Sequence, residues 1–125
     1  MAVNPHDVRI RAVRWYALPV KTRVPLKFGR DTLTEVVCAR VCLTVSRADG
    51  TRAQGWGETP LSVQWVWPSA VPYDVRLKAL QDFCDTLTEA YAAFGARGHP
   101  MEIGHDFLEE ALPGILEKFN AGLPE

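Results

Sequence analysis

The chain has 125 residues, 47% hydrophobic and 23% charged, with 9 Gly, 9 Pro and a net charge of -1. That is the size and make-up of one folded domain, and it excludes collagen-like and disordered chains. The near-neutral charge gives no electrostatic reason to expect nucleic acid or an anionic membrane as partner, and no stretch approaches the roughly 18 apolar residues of a membrane span.

The N-terminus meets Pro5 and Arg9 before any apolar run of signal-peptide length, which points to the cytoplasm. The three cysteines agree with a reducing compartment, since an odd count leaves one thiol unpaired. Cys38 and Cys42, four residues apart on a predicted strand, would lie roughly 13 Å from each other, too far for a disulfide. Both read as packing residues, as does Cys84 on a predicted helix. His6, His99 and His105 are scattered without metal-ligand spacing; His105 and Glu109 share a predicted helix face, but no third ligand accompanies them.

Val8 to Leu18 reads as a first strand whose Arg9, Arg11 and Arg14 form a solvated face. Pro19 to Leu33, with two prolines and four cationic residues, reads as a mobile loop that leaves the sheet. From Thr34 a second strand is plain: Val37, Ala39, Val41, Leu43 and Val45 alternate with Cys38, Arg40, Cys42, Thr44 and Ser46. Asp49-Gly50 supplies a hairpin turn, and Thr51 to Glu58 returns as a third strand. Gly55 and Gly57 on that strand call for a bulge or a close backbone approach, because glycine otherwise weakens a strand. Glu58 is a lone carboxylate and reads as structural.

Thr59 to Tyr73 carries no charge and holds Trp65 and Trp67 among three prolines. In an extended backbone both rings would face one side, as core packing, as a docking surface or as a ligand platform. Pro72, Tyr73 and Asp74 open a helix of about 22 residues, with Leu80, Phe83, Cys84, Leu87, Tyr91 and Phe94 as its apolar stripe. Residues 97–100 make a turn, and a shorter helix through Ile103, Phe107 and Leu112 stops or kinks at Pro113-Gly114. Ile115 to Asn120 adds a last turn or two.

The fold class is therefore α+β: a three-stranded antiparallel sheet followed by a helical bundle. Pro25 to Gly29 (PLKFG), Thr32, the Asp49-Gly50 turn and Gly55 to Glu58 (GWGE) occur in an order that resembles the N-terminal capping domain of the mandelate racemase and muconate lactonizing enzyme group of the enolase superfamily. The resemblance implies one capping domain over 1–125, with the sheet and first capping loop at 8–58, a second capping loop at 59–71 and helices at 72–121. It places Lys21, Thr22, Arg23, Val24, Trp65 and Trp67 at the substrate, PLKFG at the hinge of the first loop, and Phe28 packed into the domain.

Such enzymes take a proton from the carbon α to a carboxylate and stabilise the enolate with Mg²⁺, as racemases, epimerases, cycloisomerases or dehydratases. Their acids, bases and metal ligands lie in a C-terminal barrel, which needs about 200 to 250 residues. This chain is then expected to hold no catalytic or metal-ligating residue, to be inactive by itself, and to self-associate where the missing barrel leaves Thr59 to Tyr73 uncovered. A free-standing binding module built on Trp65 and Trp67, and a structural subunit docking on a separate partner, are the competing readings.

Overall fold

A computed structural model describes residues 4–124, apart from the side chain of Phe28, so the packing expected of that ring lies outside the described residues. Strands β1 (Val8–Phe28), β2 (Asp31–Arg47) and β3 (Arg52–Pro60) form an antiparallel meander. A two-residue strand, β4 (Arg97–Gly98), pairs with Val8 and Arg9, giving the order β3-β2-β1-β4. The α+β class holds, with four strands instead of three. The turn expected at residues 97–100 gives up its first half to the sheet, because the chain leaving the helical half returns beside the start of β1.

The largest departure is the stretch from Pro19 to Leu33. It does not leave the sheet: Leu18 to Lys21 pair with Cys38 to Glu35, and Leu26 to Phe28 pair with Leu33 to Asp31, so β1 and β2 continue as a long two-stranded arm. Prolines fail to break it because β4 flanks β1 only at Val8 and Arg9. Along the rest of β1 a missing N–H can face outward without removing a ladder bond. Pro25 falls in an irregularity where Thr22 to Pro25 stand opposite Thr34 alone. At the tip, Gly29 takes φ +59° at the first place of a two-residue turn, where the twist of a hairpin favours a positive angle.

The second hairpin turns as expected. Arg47 N–H donates to the Thr51 carbonyl at 2.9 Å, Gly50 takes φ +85°, and Thr51 N–H donates to Asp49 Oδ1 at 2.9 Å. That bond, helped by Arg47, holds the Asp49 carboxyl below its usual value. A carboxyl depressed in the folded state stabilises at neutral pH and loses that contribution as the pH falls through its folded value. Amide protection at Gly50 and Thr51 should therefore drop on acidification from pH 7 toward 3 in the wild type. In Asp49→Ala it should be weaker at neutral pH and lose this step; an identical acid step in the variant would contradict the assignment.

The helical half begins with one turn, α1 (Val63–Val66), followed by α2 (Tyr73–Ala93). Pro72 precedes α2, and Asp74 in its first turn suits the positive end of the helix dipole. α2 lies along β1, where Trp15 Nε1–H donates to Asp85 Oδ1 at 2.7 Å. His99 and Glu102 close a reciprocal cap on α3 (Pro100–Asp106): Met101 N–H donates to His99 Nδ1, and His99 N–H to Glu102 Oε2.

The kink expected at Pro113 is absorbed in another way. A π-helical turn at Phe107–Ala111 leads directly into α4 (Leu112–Ala121). Proline has no N–H and its ring crowds the carbonyl four residues back, so a widened turn lets the helix pass through it.

The core is small. Val8, Ile10 and Ile103 are buried together, with Val13, Leu43, Val45, Tyr91 and Phe94 packed against them. Phe107 sits edge-on to Tyr91 at 4.8 Å and to Phe94 at 5.4 Å, and Phe83 meets Phe119 at 4.4 Å. The three thiols are free. Burial raises that of Cys84, with Asp85 acting in the same sense. No helix among the described residues is long and apolar enough to cross a membrane.

Candidate functional site

Two regions could contact something outside the chain: the base of the arm, and the sheet face that carries no helices.

At the base of the arm, Leu26, Leu33 and Val36 face Pro60, Ser62, Gln64 and Trp65 across an open groove of about 520 Å³. The two segments expected to cap a substrate therefore do meet. They meet through the apolar residues of the arm, since the groove lining includes none of Lys21 to Val24. Lys21 is the last regularly paired residue before the irregular stretch of β1 that holds the other three, where the Thr22 hydroxyl donates to the Thr34 carbonyl at 3.0 Å and Val24 is 69% exposed. Lys21 and Arg23 are exposed.

The tryptophans separate. Because Val63–Val66 is a helical turn, residues two apart point to different sides, and the extended-backbone expectation of a shared face fails. Trp65 is 75% exposed beside the groove, whereas Trp67 is half-buried, its carbonyl accepting from Arg76 Nη1 at 2.8 Å. Thr59 to Tyr73 is likewise divided. Val63 is completely buried and anchors the segment, while Trp65 and Val66 face out.

The open face of the sheet follows from register. β2 alternates, and Val41, Leu43 and Val45 look toward the helices with Val13 and Ile10 opposite or near them. The other side carries Ala12, Arg14 and Tyr16 of β1, Arg40, Cys42 and Thr44 of β2, and Gln54, Trp56 and Glu58 of β3. Tyr16 and Trp56 stack with centroids 6.1 Å apart, flanking Cys42, which lies buried in the strand between them. Arg11 Nε–H donates to the buried Ser46 hydroxyl at 2.7 Å.

Arg40 grips Glu58 Oε2 through Nε and Nη2, at 3.1 and 3.0 Å. Glu58 is thus a structural partner of Arg40. Partial burial, followed by the Glu58 charge and a hydrogen bond to that carboxylate, raises the Cys38 thiol, with Arg40 acting the other way. A raised thiol is protonated at neutral pH and is a poor nucleophile.

The Tyr16–Trp56 stack and the Arg40–Glu58 pair were not singled out by sequence reading. The signal was there: counting outward from the Asp49-Gly50 turn places Trp56 opposite Cys42 and Glu58 opposite Arg40.

Among the described residues no group of three or more His, Cys, Asp or Glu stands close enough to hold a metal. The face offers cations, a carboxylate already paired and an aromatic surface, a set suited to binding and docking more than to proton transfer. No family model, curated protein or solved structure matches the chain.

Proposed function

We propose that the chain is the N-terminal capping domain of an enolase-superfamily enzyme, which shapes a substrate pocket and excludes water while a barrel domain supplies the chemistry. The observation that carries this is surface. The chain exposes 8949 Å², roughly a third more than the about 6,700 Å² of a compact monomer of 13.9 kDa. A domain with so small a core and so much surface is built to finish its burial against something larger.

The order of PLKFG and GWGE along the chain supports the same reading, with GWGE on a strand two places from β1; PLKFG, expected at the hinge of the first loop, lies instead at the tip of the arm, because Leu26 to Phe28 pair with Leu33 to Asp31. On this reading the arm and Trp65 lie over the mouth of the barrel. Lys21, Thr22, Arg23 and Val24 face a small carboxylate substrate, and Trp67 holds the second segment to α2. The barrel holds Mg²⁺ and the acids and bases. A free-standing binding module would draw on Tyr16 and Trp56, the aromatic pair that does assemble, and calorimetric titration with acid sugars would reveal it.

The test uses the native assembly that contains this chain, incubated with Mg²⁺ and a panel of small carboxylic acids in D₂O. Deuterium should enter the α position with the assembly, and with the isolated chain none should enter above buffer. General acid and base groups each contribute about 10² to 10⁴-fold, and a domain without them is no catalyst. A native assembly without a barrel-sized partner, or exchange catalysed by the repurified chain, would sink the reading.

A further inference from the structure

β3 is an edge strand, paired with β2 on one side; among the described residues nothing pairs with its outer side. All of its residues are exposed. Natural edge strands of this length are usually shielded against another chain, and Arg52 to Glu58 is a regular ladder with no bulge.

The backbone phase of that edge can be read from its ends. Arg47 N–H donates to the Thr51 carbonyl, and Leu61 N–H to the Val37 carbonyl, with unbroken register between. Thr51, Ala53, Gly55, Gly57 and Thr59 therefore direct their backbone groups at β2, and Arg52, Gln54, Trp56 and Glu58 direct theirs outward.

We infer that a second copy of this chain pairs with β3 through this edge, antiparallel about a two-fold axis at Gly55, so that Arg52 of each copy lies opposite Glu58 of the other. In this register Arg52 pairs with Glu58 and Gln54 with Trp56, and all four are residues with outward backbone groups, so each pair exchanges both of its hydrogen bonds. Opposite charges directly across a ladder stabilise it, and like charges weaken it. Among the described residues Arg52 makes no ion pair, and Arg40 engages Oε2 of Glu58, leaving that carboxylate further acceptor capacity.

The glycines are compatible with this pairing. Gly55 would meet its own counterpart, and Ala53 would meet Gly57, at the non-hydrogen-bonded positions where Cα atoms approach to about 4.5 Å. A side chain added at Gly55 or Gly57 meets nothing within 4 Å in the chain alone, and both lie in ordinary strand conformation, so neither a bulge nor an internal contact accounts for them. A second strand can pair beside them without crowding.

Register is bounded as well. Sliding the copies by one repeat in one direction sets Pro60, which has no N–H, against Arg52. Sliding in the other brings the Asp49-Gly50 turn into the ladder. The two-fold pairing uses the edge of both copies and leaves none to propagate, so it closes as a dimer. It uses a different surface from the arm groove and does not depend on the capping reading.

The test is sedimentation velocity of the whole chain. Wild type should dimerise. Arg52→Glu and Glu58→Arg each set like charges opposite one another twice, and should each weaken the dimer by at least about tenfold. Mixed in equal amounts, the two variants restore both opposite-charge pairs and should recover it. Gln54→Pro removes an outward donor while sparing the ladder to β2, and should also give monomers; circular dichroism checks that each variant is folded. A wild type monomeric at high concentration would overturn the proposal. So would a dimer untouched by Gln54→Pro, a mixture no better than either variant, or a dimer dispersed by Trp65→Ser alone.

Discussion

Replacing Phe107 with alanine should cost about 3–5 kcal/mol, the range for removing a buried phenyl ring. Phe107 is 7% exposed and stands where the π-helical turn delivers its ring between Tyr91 and Phe94. Removing it leaves two aromatic rings without a partner and opens a void between them, in a core with few other buried side chains. A domain of ordinary stability has about 5–15 kcal/mol in all, so the variant should be close to unfolding. Urea denaturation checks this through a large fall in midpoint with an unchanged slope. A loss under about 1 kcal/mol would show that α2 and the π turn do not share a packed core.

An aspartate at position 63 should be as damaging, and in a pH-dependent way. Val63 is completely buried and fixes the α1 turn beneath the connection from β3 to α2. Full burial raises a carboxyl by about 3–5 pKa units. That places the folded value at about 7 or above, so at about 1.4 kcal/mol per unit between the unfolded value and pH 7 the deficit at neutral pH is roughly 4 kcal/mol. Because the folded value lies above the unfolded one, the folded state binds the extra proton. The deficit is complete above the folded value and shrinks as the pH falls below it. Val63→Asp should therefore regain stability between pH 7 and 5, whereas Val63→Asn should not. Equal deficits at both pH values would mean that position 63 is wet.

What could be read from the chain was local. The alternation of β2, the Asp49-Gly50 turn and the opening of α2 at Pro72 each rest on residues within a few positions of one another, and each appears in the structure. The arm could not be read that way. Pro19 and Pro25 argue for a loop on local grounds, but the outcome depends on pairing with Val37 and on the bulge opposite Thr34. The same holds for Arg97, whose partner Arg9 lies at the other end of the chain. Trp65 and Trp67 were misplaced because a four-residue helix is too short to display a period. The stacked Tyr16 and Trp56 belong to strands that are not adjacent, so they become neighbours only once two registers are known.

The reading that this domain completes its burial against a larger partner depends most on which surface is covered in the native assembly. Hydroxyl-radical footprinting can compare Leu26, Leu33 and Trp65 in the isolated chain and in that assembly, with the exposed Met101 of α3 as the internal reference. Trp65 and the two leucines should be strongly labelled in the isolated chain and protected several-fold in the assembly, while Met101 stays unchanged. Equal labelling of the groove in both states would contradict a cap seated through its arm.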